Sequence, residues 1–409
     1  MSACSREFAG ETFGDGRLRG LVFTRQFPND AEPYRGTFVE QQVVATSPEV
    51  DWRVLAPTRW VPFGFERLLG RARVVGRRIV RGIDVTYVPY PVLPRRMLYR
   101  AVAPSMAAFS AGAFRRLVRE AGACFVHAHE LYPSGAAAAR LVEDAHMPLV
   151  VSVHGSDLYS NLSRQSWRAA LVEVARRSAA IVCVGHALAE NVEVMLGADP
   201  ARIHVVPDCY DDDAFAYIDR EMPENRTLRF LTVGRLVPEK GLDVLLRAVA
   251  SLIAQGHDVS LRIVGAGFLA AELESLRHEL GLGERVTFLG PLATNRLQKE
   301  YAAADLYVQP SRREGFGLAL VEAMATGLPA VATASGGPSD IMSSDCGILV
   351  EPDDVRALTS GLSRAIVTFP EFDRAAIADR MRDRYGREAV GEALVRVYRS
   401  VLAEVGLDA

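Results

Sequence analysis

Two segments in the second half of the 409-residue chain carry the residue types and spacings best suited to chemistry. In GRLVPEKG (234–241) a strand pattern ends at Gly234 and Arg235 follows at once. A proline turn then delivers Lys240 and Gly241 just ahead of a helical pattern opening at Leu242. Two cations on a glycine-bounded loop beside a helix N-terminus suit a diphosphate: the cations neutralise its oxygens and the helix dipole adds to the attraction. A plain strand-to-helix loop with solvated charges would carry the same residues. Lys240 is, however, one of two lysines beside 45 arginines.

In PSRREGFGLALVEAMATGLPAVAT (310–333) a loop carries Glu314, Gly315, Phe316 and Gly317, and a helix starts near Leu318 with Glu322 in its first turns. Gly315 and Gly317 allow close backbone approach, and free amides around Phe316, Gly317 and Leu318 suit phosphate oxygens. Glu314 and Glu322 flank that anion site. A carboxylate accepting two vicinal hydroxyl hydrogens makes a ribose or sugar clamp; the plainer reading is one solvated acid and one charge on the helix dipole.

The elements that must position these residues alternate along the chain. Strand patterns fall at 20–27, 52–57, 84–90, 124–129, 149–155, 180–185 and 203–207, with helical stretches at 40–46, 101–120, 134–145 and 164–178 between them. After DCYDDDAFAYIDREMPENRT (208–227), acidic and read as a linker, strands at 228–234, 261–265, 285–290, 306–310 and 329–333 alternate with helices at 242–255, 269–281, 294–303 and 317–326. Helices near 353–367 and 386–404 close the chain. This predicts an α/β protein with two doubly wound domains facing a central cleft, where ligands bind beyond the carboxyl ends of the strands. The expected division is 1–207, linker 208–227, 228–385, and a C-terminal helix at 386–409 packing back toward the first domain.

A chain 49% hydrophobic and 24% charged is neither disordered nor collagen-like. Cys4, Cys124, Cys183, Cys209 and Cys346 are odd in number and form no CxxC pair, which argues against a disulfide framework and points to a reducing cytosol. Without a spanning apolar run or a secretion signal at its start, the protein is expected to be cytoplasmic. Net charge is −3, yet from Arg59 to Arg119 there are 13 arginines against Glu66 and Asp84. Interleaved with Trp60, Phe63, Phe65, Leu68, Leu69, Leu98 and Tyr99, they suit an anionic membrane face, or a solvated helical face in an arginine-biased chain. No RNA- or DNA-binding signature accompanies them, so nucleic acid is not an expected partner.

GRLVPEKG, the later EGFGLALVE with Glu314 and Glu322, GGPSDI (336–341) and GILVEPDD (347–354) together resemble the retaining, nucleotide-sugar-dependent glycosyltransferases of family 4, which have the GT-B fold. The resemblance covers about 130 residues and implies the roles that follow. Arg235 and Lys240 match the pair that holds the donor diphosphate, and Glu322 the carboxylate on the ribose hydroxyls. Glu314 matches the residue beside the donor sugar, and the amides of Gly315 to Leu318, with Gly234, line the donor site. Leu289 to Leu292 correspond to the base-binding region. In the first half, Gly36 stands where relatives place a glycine-bearing loop, though Arg35 and Glu40 depart from the usual neighbours. His154, Gly155 and Asp157 match the HGxD whose histidine faces the donor sugar; His129 and Asp157 are acceptor-side candidates. Asp208 and Cys209 depart from the usual PNGVD.

The resemblance favours front-face substitution, in which the donor phosphate takes the acceptor proton and the cations stabilise the leaving group. No carboxylate is assigned as a covalent nucleophile. With no DxD at a strand end, neither a metal nor a cofactor is expected. The expected substrates are a nucleotide-diphosphate sugar and a glycan or lipid-linked acceptor, in surface polysaccharide or glycolipid synthesis. Competing readings are an epimerase or hydrolase on the same fold, a dinucleotide oxidoreductase prompted by GAG (265–267), and a degenerate partner subunit. The second lacks a full GxGxxG, and the third should have lost Arg235, Lys240 or Glu322, all of which are present.

Overall fold

The computed structural model describes residues 16–32, 34–60, 74–92, 99–155, 158–159, 165–220 and 227–406. Chain contacts divide it into two compact units, one of residues 1–207 with 390–409, the other of 208–389.

In the first unit the described strands are β1 (Leu18–Phe23), β2 (Val50–Trp60), β3 (Gly76–Val80), β4 (Ile83–Pro91), β5 (Phe125–His129), β6 (Leu149–Val153), β7 (Ala180–Cys183) and β8 (Ile203–Val205). They form one sheet in the order β3-β4-β2-β1-β5-β6-β7-β8, parallel except for β3 against β4. The helices are α1 (Thr37–Thr46), α2 (Val102–Ala121), α3 (Ala136–Ala145), α4 (Gln165–Arg177) and α5 (His186–Leu196). Strands such as LVVSV (149–153) are buried at every position, as a sheet covered on both faces requires. Strand order reverses between β1 and β5, which makes the carboxyl end of that pair the switch point.

The second unit repeats the plan with β9 (Leu228–Val233), α6 (Leu242–Ala254), β10 (Val259–Val264), α7 (Ala270–Glu279), β11 (Val286–Gly290), α8 (Thr294–Ala303), β12 (Leu306–Gln309), α9 (Leu318–Ala325), β13 (Ala330–Thr333), α10 (Gly337–Ile341), β14 (Gly347–Val350), α11 (Val355–Thr368) and α12 (Arg374–Tyr385). Its sheet order, β11-β10-β9-β12-β13-β14, is parallel throughout and reverses between β9 and β12. α6 buries Leu242, Val244, Leu245, Leu246, Val249 and Leu252 in the core with β9 and β10 residues. Each such side chain is worth roughly 1.5–3 kcal/mol over its exposed state. That packing fixes the start of α6 beside the sheet end. α13 (Arg387–Glu404) ends the chain, and from residue 390 onward it belongs to the first unit.

Five elements had no counterpart in the periodicity, one of them the five-residue helix α10. β3 (GRRIV) is a short, arginine-bearing edge strand whose Ile79 is 69% exposed, so no buried face patterns it. β14 has only four residues, and only Val184 and Gly185 separate α5 from β7. α12 is charge-rich and is started by Asp373, whose side chain accepts from the Ala376 amide. Residues 208–220, expected as linker, lie in the second unit: Cys209, Tyr210 and Phe215 are buried. Arg220 donates to the Thr326 carbonyl and to the Tyr301 carbonyl at 3.0 Å. Residues 221–226 lie outside the described residues.

Candidate active site

The two second-unit loops singled out above meet at the switch point of the second sheet. β9 delivers Gly234 and Arg235, and a single 3₁₀ turn (Pro238–Lys240) brings Lys240 back toward the strand end. Gly241 then opens α6 with φ 60°, and a Cβ there would stand 2.1 Å from the Pro310 carbonyl oxygen, so only glycine lets the loops close on each other. Lys240 Nζ donates to Glu314 Oε2, which also accepts from Gln309 Nε2 at 2.9 Å and Ser311 Oγ at 3.2 Å. Gln309 is in turn oriented by Tyr307, whose buried hydroxyl donates to Gln309 Oε1 at 3.2 Å. The Glu314 backbone is pinned on both sides, its amide to the Ser335 carbonyl (2.9 Å) and its carbonyl to the Gly337 amide (3.0 Å). Arg235 is exposed, makes no ion pair among the described residues, and lines a small cavity with Lys240, Leu242, Gln309 and Ser311.

Phe316 is buried, its ring edge-on to Tyr385 at 5.5 Å, and this anchors the loop while Gly315 and Gly317 leave its backbone approachable. Gly317 caps α9 with φ 109°, so the amides from Gly317 and Leu318 start the helix uncapped by any side chain. Glu322, one turn on, accepts from the Tyr301 hydroxyl at 3.2 Å. Desolvation pushes its carboxyl up to about 8; the Tyr301 hydrogen bond opposes that shift and the Asp211 charge adds to it. Leu289 and Leu292 flank the end of β11, where the Gly290 carbonyl accepts from the Gly265 amide at 2.9 Å.

In the first unit, Gly36 precedes α1 with φ 69°, and a Cβ would stand 2.2 Å from the Gln26 carbonyl oxygen. Glu40 is buried on α1 and faces Arg81 at 3.5 Å. His154 follows β6 and packs on Phe38, ring centroids 4.5 Å apart. Its Nε2 lies 3.3 Å from His129 Nδ1. His129 itself is 1% exposed, so the acceptor-side expectation for it meets a buried ring that touches His154 instead. His127, two residues earlier on the same strand face, is bracketed by Tyr398 (2.9 Å) and Ser152 (2.8 Å). Burial holds both rings of β5 well below the ordinary histidine range. Asp157 lies outside the described residues, as do Phe63, Phe65, Leu68, Leu69 and Leu98 of the basic stretch. Cys209 is fully buried, and desolvation drives its thiol pKa up. The carboxylates of Asp211, Asp212 and Asp213 converge, and the cation they share is the Arg387 guanidinium.

Reading by motif missed Gln309, Ser311 and Tyr301, which hold the two carboxylates in place. The available signal was a glutamine inside an otherwise apolar, fully buried strand (LYVQ), a position where a polar side chain needs a partner. It also missed Glu130, a carboxylate just past β5 with φ 73°, paired with Arg25.

Comparison with known proteins bears on what these loops belong to. Residues 218–373 match the family model of glycosyl transferases group 1, and residues 47–214 that of glycosyltransferase family 4. The chain is 33% identical over 349 residues to a D-inositol 3-phosphate glycosyltransferase of Catenulispora acidiphila, covering 78% of this chain and 82% of that protein. A Mycobacterium relative of the same description is 40% identical over 207 residues, 46% of this chain and 45% of its own length. Among solved structures, sucrose-phosphate synthase of Thermosynechococcus elongatus superposes with a TM-score of 0.77 at 20% identity, over 95% of this chain and 100% of that one. Anabaena HepE, solved with UDP and glucose, superposes with a TM-score of 0.71 at 19% identity, over 94% and 100%. The fold is GT-B, and the chain belongs to the family 4, group 1 glycosyltransferases.

Proposed function

We propose that this glycosyltransferase moves a sugar from a nucleotide-diphosphate donor to a hydroxyl of a glycan or lipid-linked acceptor with retention at the anomeric carbon, in surface polysaccharide or glycolipid synthesis. Family membership implies a nucleotide-sugar donor and a glycan-type acceptor. The observation that supports a donor-diphosphate site is Lys240 held on Glu314, beside exposed Arg235 and the uncapped start of α9. In the proposed step the acceptor oxygen bonds to the anomeric carbon as the bond to the donor phosphate breaks. The electron pair leaves with the diphosphate, and a phosphate oxygen takes the acceptor proton. Arg235, Lys240 and the amides from Gly315 to Leu318 meet the charge that develops on the leaving group. These groups supply the electrostatic stabilisation, so the reaction proceeds without a metal.

Calorimetric titration with UDP-, GDP- and ADP-sugars in the absence of metal tests this reading, on the wild type and on Lys240→Ala and Glu322→Ala. One nucleotide class should bind and be lost in both variants; no binding by any of them overturns the proposal. Two relatives are named for D-inositol 3-phosphate, so a phosphorylated polyol belongs on the acceptor panel. The same titration has a pH signature. Glu322 must be ionised to accept two ribose hydroxyls, and its carboxyl is pushed up to about 8. Nucleotide affinity should therefore rise by up to about tenfold per pH unit on the approach to that value. In Glu322→Gln that slope should be flat, and an equal slope in both proteins removes Glu322 from the ribose.

Contact with an anionic membrane through the stretch from Arg59 to Arg119 is part of the same proposal. Among the described residues no helix is long and apolar enough to cross a membrane.

A further inference from the structure

Of the two acids singled out at the second sheet's switch point, Glu322 is the one without a cation. Lys240 neutralises Glu314, whereas no Lys, Arg or His forms an ion pair with Glu322 among the described residues. α9 itself, LALVEAMA, carries no other charge. Of the elements packed on it, α8 supplies the Tyr301 hydroxyl, β12 places the Tyr307 phenol within electrostatic reach, and α12 brings no charge that acts on Glu322. The remaining charge in range is Asp211, which is paired with Arg387 and disfavours a second carboxylate nearby. Burial and Asp211 therefore both favour the protonated acid.

A single contact opposes them. The Tyr301 hydroxyl lies 3.2 Å from both Glu322 Oε2 and the Ala319 carbonyl oxygen, so its one proton is shared between the acid and the helix backbone. Its ring is wholly buried and held in place, with Phe215 edge-on at 5.5 Å, Tyr307 tilted at 6.3 Å, and the Tyr301 carbonyl accepting from Arg220 Nη2 at 3.0 Å. Burial keeps this phenol well above its usual range, so it is still a donor at any pH where Glu322 titrates. A donor aimed at one oxygen favours the carboxylate over the acid. Glu322 Oε1 accepts no hydrogen bond among the described residues and is not sealed from solvent, which leaves both its lone pairs for incoming hydroxyls.

We infer that Tyr301 is a positioning residue for donor binding: by donating to Oε2 it makes the carboxylate form of Glu322 attainable near neutrality and leaves Oε1 for the ribose. That role rests on the transferase reading, in which Glu322 meets the ribose, and adds the residue that sets the pH range of the contact.

Calorimetric titration of the full chain with UDP, GDP and ADP across the neutral to alkaline range tests it, on the wild type, Tyr301→Phe, Tyr307→Phe and Glu322→Gln. Tyr301→Phe keeps the ring against Phe215 and Tyr307, and thermal midpoints without nucleotide check that each variant is folded. In Tyr301→Phe the pH at which affinity levels off should rise by about one unit, the effect of losing one charge-assisted hydrogen bond. Affinity should accordingly fall about tenfold at about pH 7 and return to within about twofold of the wild type at about pH 9.5. The preference for the ribonucleotide over its 2′-deoxy form should shrink at neutral pH and recover in parallel. Tyr307→Phe removes an equally buried hydroxyl from the neighbouring ring, so it reports on lost packing and polarity alone, and that pH should not move. The inference is overturned if Tyr301→Phe lowers affinity by one factor at every pH, leaves it unchanged, or is matched in its pH shift by Tyr307→Phe. If Glu322→Gln is flat with pH, those results leave the ribose reading standing without Tyr301. A wild-type slope retained in Glu322→Gln, or no binding by any of the three nucleotides, overturns the ribose reading and the Tyr301 role together.

Discussion

Replacing Lys240 by alanine is expected to lower kcat/KM by about 10²–10³-fold, the range for losing one preorganised charge stabiliser at a developing anion. Two effects act in the same direction. The ammonium that would meet the leaving diphosphate is gone, and Glu314, 14% exposed, loses the cation that neutralises it. Gln309 and Ser311 still donate to Glu314 Oε2 but carry no charge, so the variant presents a bare carboxylate to an incoming diphosphate. Glu314→Gln separates these effects by sign. It frees Lys240 and removes the competing negative charge, so nucleotide diphosphate should bind more tightly than in the wild type. If Glu314 also acts at the donor sugar, turnover in that variant falls while affinity rises. Titration and steady-state rates on the two variants check this; tighter nucleotide binding in Lys240→Ala than in the wild type would sink the assignment.

How much of this was legible in the sequence follows from what a linear pattern can encode. Alternating strands and helices came through because buried parallel strands such as LVVSV and AVAT are short apolar runs, and α6 and α11 show a helical apolar stripe. β3 did not, because an edge strand with arginines outward has no buried face to mark it. The acidic stretch from 208 looked like a linker by composition alone. Its aspartates are instead neutralised by Arg387, more than 170 residues away in the chain, a pairing that no local pattern contains. Glycine-bounded Lys240 and the Glu314–Glu322 spacing were readable because loops after strands must place their chemistry at short, fixed offsets. Gln309 and Tyr307, in the buried strand β12, and Tyr301, the buried residue of α8, aim those carboxylates and read as core.

Mild acid is expected to destabilise the first unit at pH values above the range where ordinary carboxylates titrate. Burial takes His127 from an ordinary value of 6.5 down to about 3. The folded protein therefore keeps this ring neutral, while the unfolded chain binds a proton as soon as pH drops through 6.5. Stability is fully present above that pH, is lost as pH falls, and stops declining near the folded value of about 3. By linkage the whole window is worth about 5 kcal/mol, of which about 2 kcal/mol is gone by about pH 5. His129, also buried, shifts the same way and adds to the loss. Glu322 works oppositely: its raised carboxyl pKa makes the second unit gain stability as pH falls from about 8. Fluorescence keeps the two apart, because the chain's three tryptophans, Trp52, Trp60 and Trp167, all lie in the first unit. Trp52 packs edge-on against Tyr398, the residue bonded to His127, with ring centroids 5.6 Å apart. Urea midpoints read by tryptophan emission should fall steeply between about pH 6.5 and about 4.5, above the range where ordinary carboxylates titrate. His127→Asn should start less stable at neutral pH, having lost one or both hydroxyl contacts, yet show a shallower decline. A wild-type midpoint that stays level across that window would mean that the buried imidazoles of β5 are not held neutral by the fold.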